Sequence, residues 1–289
     1  MKTSILPAFL TAISLASAGF AADAPKPLKV LLLAGGCCHD YATQKAILKK
    51  GLEERANVKV EVIYTADYPV GANGKPDATK PKFSIYGNPD YAKGFDVVLH
   101  DECSAGIADP AVIQGVLKPH MDGIPGVNLH CAMHSYRFGE FKNPVAPGAE
   151  NSHWYEYLGL QSTGHGPQEP IAITFTAKDS SIVKGFADWT TMKEELYNNI
   201  QILTGRELAM GKQTVKNKDG TTKDVETVVA WTNEYGPRKT RVFSTTIGHN
   251  NATVEDPRYL DLVTRGLLWS AGKLGDDGFP AKGYGPGGK

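Results

Sequence analysis

Two imidazoles four positions apart, in His130-Cys131-Ala132-Met133-His134, stand where the apolar run Gly126-Val127-Asn128-Leu129 stops and a helix can begin. Residues three or four apart on an α-helix share a face, so His130 and His134 can chelate one divalent metal or divide acid and base duties. One of them can equally well satisfy a buried carbonyl, so the pair needs company. His249 is the next candidate, in a Gly248-His249-Asn250-Asn251 segment suited to a tight loop at a strand end.

The elements that must present these groups follow a βα rhythm. Leu28 to Ala34 reads as a continuous apolar strand, as expected when helices cover both faces of a parallel sheet. Gly35-Gly36 ends it, Asp40 caps a helix from Tyr41 to Arg55, and Val58 to Tyr64 is the next strand. Residues 65–94, rich in proline and glycine, read as a long surface loop. Phe95 to Leu99 is a strand, Asp109-Pro110 starts a helix reaching Met121, and Pro125 to Leu129 delivers His130. Three such units predict an α/β fold with a doubly wound, mostly parallel, flavodoxin-like sheet, in which ligands bind beyond the carboxyl ends of the strands. His39, His100 and His130 each fall at or just past such an end.

The second half is richer in β-structure. Strands are expected at Ile171 to Ala177, Glu226 to Trp231 and Arg241 to Ile247, with a turn at Lys218-Asp219-Gly220. Asp256-Pro257 then opens a helix from Arg258 to Ala271. A single domain is thus expected over residues 28–272, followed by a mobile tail over 273–289. Lys2, the apolar stretch Ile5 to Leu15 and the small residues up to Ala21 are built like a signal peptide over residues 1–21, so the chain is expected to be periplasmic or secreted. The apolar core of that segment is too short to span a bilayer, and no membrane association is expected after cleavage.

The chain carries 31 basic and 31 acidic residues, a neutrality that gives no electrostatic footprint for nucleic acid or an anionic membrane. Cys37, Cys38, Cys103 and Cys131 do not resemble a disulfide framework, since two are adjacent and the domain is large, and mostly free thiols are expected.

Leu28 to Gly36, Phe95-Asp96-Val97-Val98-Leu99, Leu129 to His134, Glu194-Glu195-Leu196-Tyr197, Arg241-Val242-Phe243 to Gly248-His249, Asp256-Pro257 and Gly266-Leu267-Leu268-Trp269 occur in an order that resembles the ThuA-like (trehalose utilisation) family. The resemblance spans about residues 28–272. It implies a class I glutamine amidotransferase-like fold and a link to the breakdown of trehalose and related sugars through 3-keto-glycosides. That fold carries a cysteine nucleophile on a strand-to-helix elbow; here His130 occupies the elbow and Cys131 follows it. A one-residue shift turns the side chain away, so Cys131 reads better as a buried filler than as a nucleophile.

The motif match adds Glu195, a carboxylate able to act as ligand or base. The expected cluster is therefore His130, His134, Glu195 and His249, with His39 and His165 at its rim. Three imidazoles and a carboxylate suit a divalent ion such as zinc, manganese, cobalt or iron. His130, His134 and Glu195 are the catalytic candidates, and His39, His165, Trp154 and Tyr197 the substrate contacts, aromatic faces being able to stack on sugar C–H groups. His120 reads as structural and Asp101 and Glu102 as peripheral. Together these predict a metal-dependent lyase or hydrolase acting on a small carbohydrate, a 3-keto glycoside. A non-catalytic carbohydrate-binding protein and a Cys131-dependent amidohydrolase are the alternatives, and self-association into a homo-oligomer is left open.

Overall fold

Alternation along one apolar strand sets up the layers. In β1 (Leu28–Gly36), Val30 and Leu32 join a core with Leu48, Leu52, Val263 and Leu267, while Leu31 and Leu33 join a second core with Ile113, Val116, Leu117 and Tyr157. Successive side chains of a strand point to opposite faces, so a strand apolar throughout must be covered twice. The computed structural model describes residues 25–289, and the leader expected over residues 1–21 lies outside the described residues.

The first half follows its local signals. α1 (Tyr41–Arg55) is capped by Asp40, which accepts from the Thr43 N–H at 3.1 Å. β2 (Val58–Thr65) pairs in parallel with β1, and β1 pairs in parallel with β3 (Val97–Cys103). The long connection between β2 and β3 contains neither helix nor strand, yet it buries Phe83, Ile85 and Tyr91 in the second core. α2 (Pro110–Met121) starts at the Asp109 cap, and β4 (Gly126–Leu129) runs parallel to β3. A single turn of 3-10 helix, His130–His134, replaces the longer helix that could have followed.

After α3 (His153–Leu158), four long strands follow: β5 (Leu160–Phe175), β6 (Trp189–Ile202), β7 (Arg206–Lys216) and β8 (Thr222–Tyr235). β9 (Thr240–Thr245) then returns to lie parallel beside β4, and α4 (Asn251–Val254) and α5 (Pro257–Ser270) close the chain of elements. The nine strands of the described residues form one mixed sheet ordered β2-β1-β3-β4-β9-β8-β7-β5-β6. Its first five strands are the expected parallel, doubly covered half. The remaining pairings, as numerous as the parallel ones, are all antiparallel and join more residues, so the expectation of a mostly parallel sheet is corrected. The reason is connection length: turns as short as Asn217–Thr221 between β7 and β8 can join only antiparallel neighbours.

Before Ala172, β5 pairs with β6 alone, through register shifts near Gln161, Ser162, His165 and Pro170, and joins β7 only over Ala172–Phe175. Such irregularities bend a ribbon, and this one reaches the carboxyl ends of β4 and β9: Ser162 meets His134, and Glu194 meets Gly248. The tail beyond residue 272, expected to be mobile, is folded back. Asn57 binds the Tyr284 and Gly283 carbonyls at 3.0 and 2.9 Å, and Leu274 bridges Pro280.

Candidate metal centre

Three strand ends of the parallel half each deliver one imidazole. His130 follows β4 with φ 42°, a left-handed conformation that is rare outside glycine and marks a strained elbow. His39 sits between β1 and α1, where Gly36, at φ 101°, lies so close to the Cys103 carbonyl that a Cβ would collide with it. His249 follows β9 through Gly248, at φ 127°, where a Cβ would stand 2.7 Å from the Tyr259 hydroxyl. Glu195 comes from β6, opposite Gln168 of β5, while His165 of β5 faces Tyr197 of β6.

The ligand atoms of His39, His130, Glu195 and His249 all lie within 4.8 Å of one another. Glu195 Oε2 is 3.4 Å from His130 Nε2, and Glu195 Oε1 is 3.2 Å from His249 Nδ1. Neither approach has hydrogen-bond geometry, and both ring nitrogens are buried without a partner among the described residues. Those spacings match the edge of a tetrahedron, about 3.4 Å, around an ion with bonds of about 2.1 Å. The imidazoles are also aimed for ligation. His130 Nδ1 is 2.6 Å from the Thr246 carbonyl and His39 Nδ1 is 3.1 Å from the His249 carbonyl. A carbonyl only accepts, so both Nδ1 atoms carry hydrogen and, in the neutral rings, each Nε2 is left with a lone pair.

Electrostatics keep two of the donors, His39 and Glu195, in their binding forms. Burial, then repulsion from His130 and His249, pushes the His39 pKa down to about 3. Burial alone would raise Glu195, but the His130 contact and the field of His130, His165 and His249 outweigh it and hold the carboxyl at about 2. A neutral imidazole and an ionised carboxylate are the states a metal requires. Behind them, the buried Glu194 carboxylate accepts from the His249 N–H at 3.0 and 3.1 Å, and Gln44 Nε2 donates to the Gly248 and His249 carbonyls at 3.3 Å each.

His134 does not reach this group, which corrects its expected place among the ligands; His39, expected at the rim, stands at the fourth corner. The 3-10 turn is the cause. Four residues subtend about 40° on an α-helix but about 120° at three residues per turn. His134 instead contacts Ser162 Oγ through Nε2 at 3.0 Å and stacks on Tyr197 with centroids 4.2 Å apart and planes 6° from parallel. Burial holds its pKa well below the ordinary histidine range.

Trp154, expected to touch substrate, is sealed in the second core, donating to the Ala132 carbonyl at 2.9 Å; it presents no face to a sugar. Tyr197 is 1 % exposed, with its ring stacked on His134 and its centroid 6.0 Å from that of His165. His165 does lie at the rim, its side chain 43 % exposed and Nε2 3.6 Å from Glu195 Oε2. It lines a cleft of about 650 Å³ along the β5–β6 ribbon, together with Thr163, Asn199, Gln213 and Glu226. The Cys131 thiol is buried 3.0 Å from Cys103 Sγ. The hydrogen bond with Cys103 lowers its pKa, but Cys38 and burial outweigh that and hold it well above the usual thiol range, the reverse of what a nucleophile needs.

The sequence assigns no role to Gln44 and presents Glu194 only as the neighbour of Glu195; the contact with the His249 backbone reveals its task. His120 is structural as expected, with Nε2 3.0 Å from His100 Nε2 and Nδ1 2.7 Å from the Ile124 carbonyl. Glu102 is fully buried against His100 Nδ1 at 2.8 Å and the Tyr136 hydroxyl at 3.0 Å, rather than peripheral to a sugar site.

No curated protein matches the chain. A ThuA-like protein from Parabacteroides merdae shares the fold, with a TM-score of 0.60 at 19% identity over 90% of this chain and 97% of that one. A glutamine amidotransferase from Thermotoga maritima aligns with a TM-score of 0.40 at 10% identity, over 85% and 96% of the two chains. The model of the family described as trehalose utilisation, ThuA, matches residues 93–270, a span that includes His130, Glu195 and His249, and the chain accordingly belongs to the ThuA family.

Proposed function

We propose that this chain is a metal-dependent lyase or hydrolase acting on a keto-sugar glycoside, with His39, His130, His249 and Glu195 holding a divalent ion. The observation that carries this reading is the pair of unpartnered buried nitrogens, His130 Nε2 and His249 Nδ1, each about a tetrahedral edge from the Glu195 carboxylate. When bound, such an ion supplies Lewis-acid polarisation of a sugar carbonyl and acidifies the neighbouring C–H. The family's description, trehalose utilisation, supports a sugar as substrate.

The chain's own groups divide the remaining work. His165 Nδ1, 2.9 Å from the Gly166 carbonyl, carries hydrogen, which leaves Nε2 facing Glu195 and the cleft as the accessible place to take up or return a proton. The anionic Glu195 beside it stabilises the imidazolium that results. A cleft of about 650 Å³ is the size of a small-ligand site and accommodates a disaccharide. Its Thr163, Lys223 and Glu226 offer polar partners for sugar hydroxyls. Residues 1–21 support export of the enzyme.

The test is turnover of 3-keto and unoxidised disaccharides by metal-loaded protein, beside elemental analysis. Expected are one ion per chain that is lost in His130→Ala and His249→Ala, cleavage confined to the keto sugars, and loss of kcat with retained metal in His165→Ala. A loaded, folded protein inert towards every keto disaccharide would overturn the proposal.

A further inference from the structure

Four thiols from three separate strand ends meet beside the imidazole group without belonging to it. Cys37 and Cys38 follow β1, Cys103 ends β3, and Cys131 lies in the turn after β4. Cys37 Sγ is 2.7 Å from Cys38 Sγ and 3.3 Å from Cys103 Sγ, and Cys131 Sγ is 3.0 Å from Cys103 Sγ. The sulfurs of Cys37, Cys38 and Cys103 all lie within 4.8 Å of one another.

Packing does not account for this. A cysteine that serves as a small apolar filler is buried, as Cys103 and Cys131 are, but Cys37 is only half-buried and Cys38 is exposed. Cys38 also has φ 84°, a left-handed conformation that a β-carbon disfavours and that persists only where the surroundings impose it. That backbone turns its thiol back onto Cys37 instead of out to solvent. Thiols are weak hydrogen-bond partners, so a ring of them gains little from mutual contact.

We propose that Cys37, Cys38 and Cys103, with Cys131 as a fourth donor, form a second metal site, selective for a thiophilic d10 cation such as zinc(II) or copper(I). All-sulfur donor sets select soft or borderline cations, whereas the neighbouring imidazole and carboxylate set suits harder divalent ions. Sulfur edges of about 3.8 Å around a tetrahedral ion with bonds of about 2.3 Å are reached from the present positions by small side-chain adjustments. The two sites share backbone but no side chain: Cys38 precedes His39 and Cys131 follows His130. One cation would therefore brace the loops that carry two of the imidazoles.

Cobalt(II) separates the sites, because only thiolate ligation gives an intense near-ultraviolet charge-transfer band. The full-length chain, reduced and stripped of metal, is titrated with cobalt(II), and zinc(II) and copper(I) are then measured by competition with chromophoric chelators. The expected result is a charge-transfer band saturating at one equivalent, displaced by whichever of the two cations binds more tightly. It should survive in His130→Ala and His249→Ala. In the double variant Cys37→Ser with Cys38→Ser, which changes no fully buried residue, affinity should fall by more than the roughly 10–100-fold typical of losing a partner that merely orients a ligand. No band in folded wild-type protein, or a band unaffected by the double serine substitution, overturns the proposal. So does recovery of disulfides among these cysteines by non-reducing mass spectrometry, combined with no metal uptake after their reduction.

Discussion

Glu194 is the residue whose removal tests most directly how the imidazole site is held together. Its carboxylate, fully buried, accepts from the His249 N–H at 3.0 and 3.1 Å and from the Gly248 N–H at 3.4 Å. In Glu194→Ala both backbone donors lose their acceptor. An orphaned buried donor costs about 1–3 kcal/mol, and the longer Gly248 contact contributes the smaller share, so the loss is about 2–4 kcal/mol. The His249 loop then relaxes, and because a partner that orients a ligand is worth about 10–100-fold in metal affinity, zinc binding at the imidazole site, measured in the Cys37→Ser, Cys38→Ser background, should weaken by that factor. Glu194→Gln keeps one acceptor oxygen and should recover most of both effects. Urea unfolding with unchanged m gives the first quantity, and chelator competition on folded protein at low urea gives the second. If Glu194→Ala lowers stability by the expected amount but leaves zinc affinity unchanged, the carboxylate does not position His249 and the reasoning fails.

Further outcomes follow from the same geometry. His39→Ala should remove the ion of the imidazole set, lowering bound metal by one equivalent in elemental analysis, whereas His134→Ala should keep it and lose about 2–3 kcal/mol of stability, from the Ser162 contact and the Tyr197 stack; the opposite pattern would restore His134 as a ligand. In metal-free protein, stability should fall as pH drops from 6.5 toward about 3, because His39 and His120 both have folded pKa values of about 3. Over that window the unfolded chain binds protons that the folded chain refuses, at up to about 1.4 kcal/mol per pH unit for each group. Glu195, with a folded pKa of about 2 against an ordinary 4.5, contributes stability that is present above 4.5 and lost on acidification towards 2. A urea midpoint constant from pH 6.5 to 4 would contradict these assignments. Gly36→Ala drives a Cβ into the Cys103 carbonyl at a positive φ and should leave little folded, metal-binding protein in circular dichroism and chelator assays.

The parallel half of the molecule could be read almost element by element, because its signals are local. Asp40, Asp109 and Asp256 each accept from a backbone N–H at the start of the helix they were expected to cap. The antiparallel half was harder to read. β6 and β7 were missed, since Trp189–Ile202 mixes charged, amide and aromatic residues without a clean period, and its shape depends on β5 and its irregular register.

The chain's local chemistry was enough to bring imidazoles to the carboxyl ends of parallel strands: apolar runs of strand length, punctuated by glycine and followed by His39, His130 and His249, leave few other places for those rings. Which rings face one another was decided by tertiary structure. His134 was excluded by a turn winding at three residues per turn instead of 3.6. His39 was brought in through the His249 carbonyl, 210 positions away in the chain, and Glu195 by a ribbon bent across the sheet. Helical and strand periods record only the nearest few neighbours, whereas a ligand set depends on where unrelated backbones cross, and no local period encodes that distance.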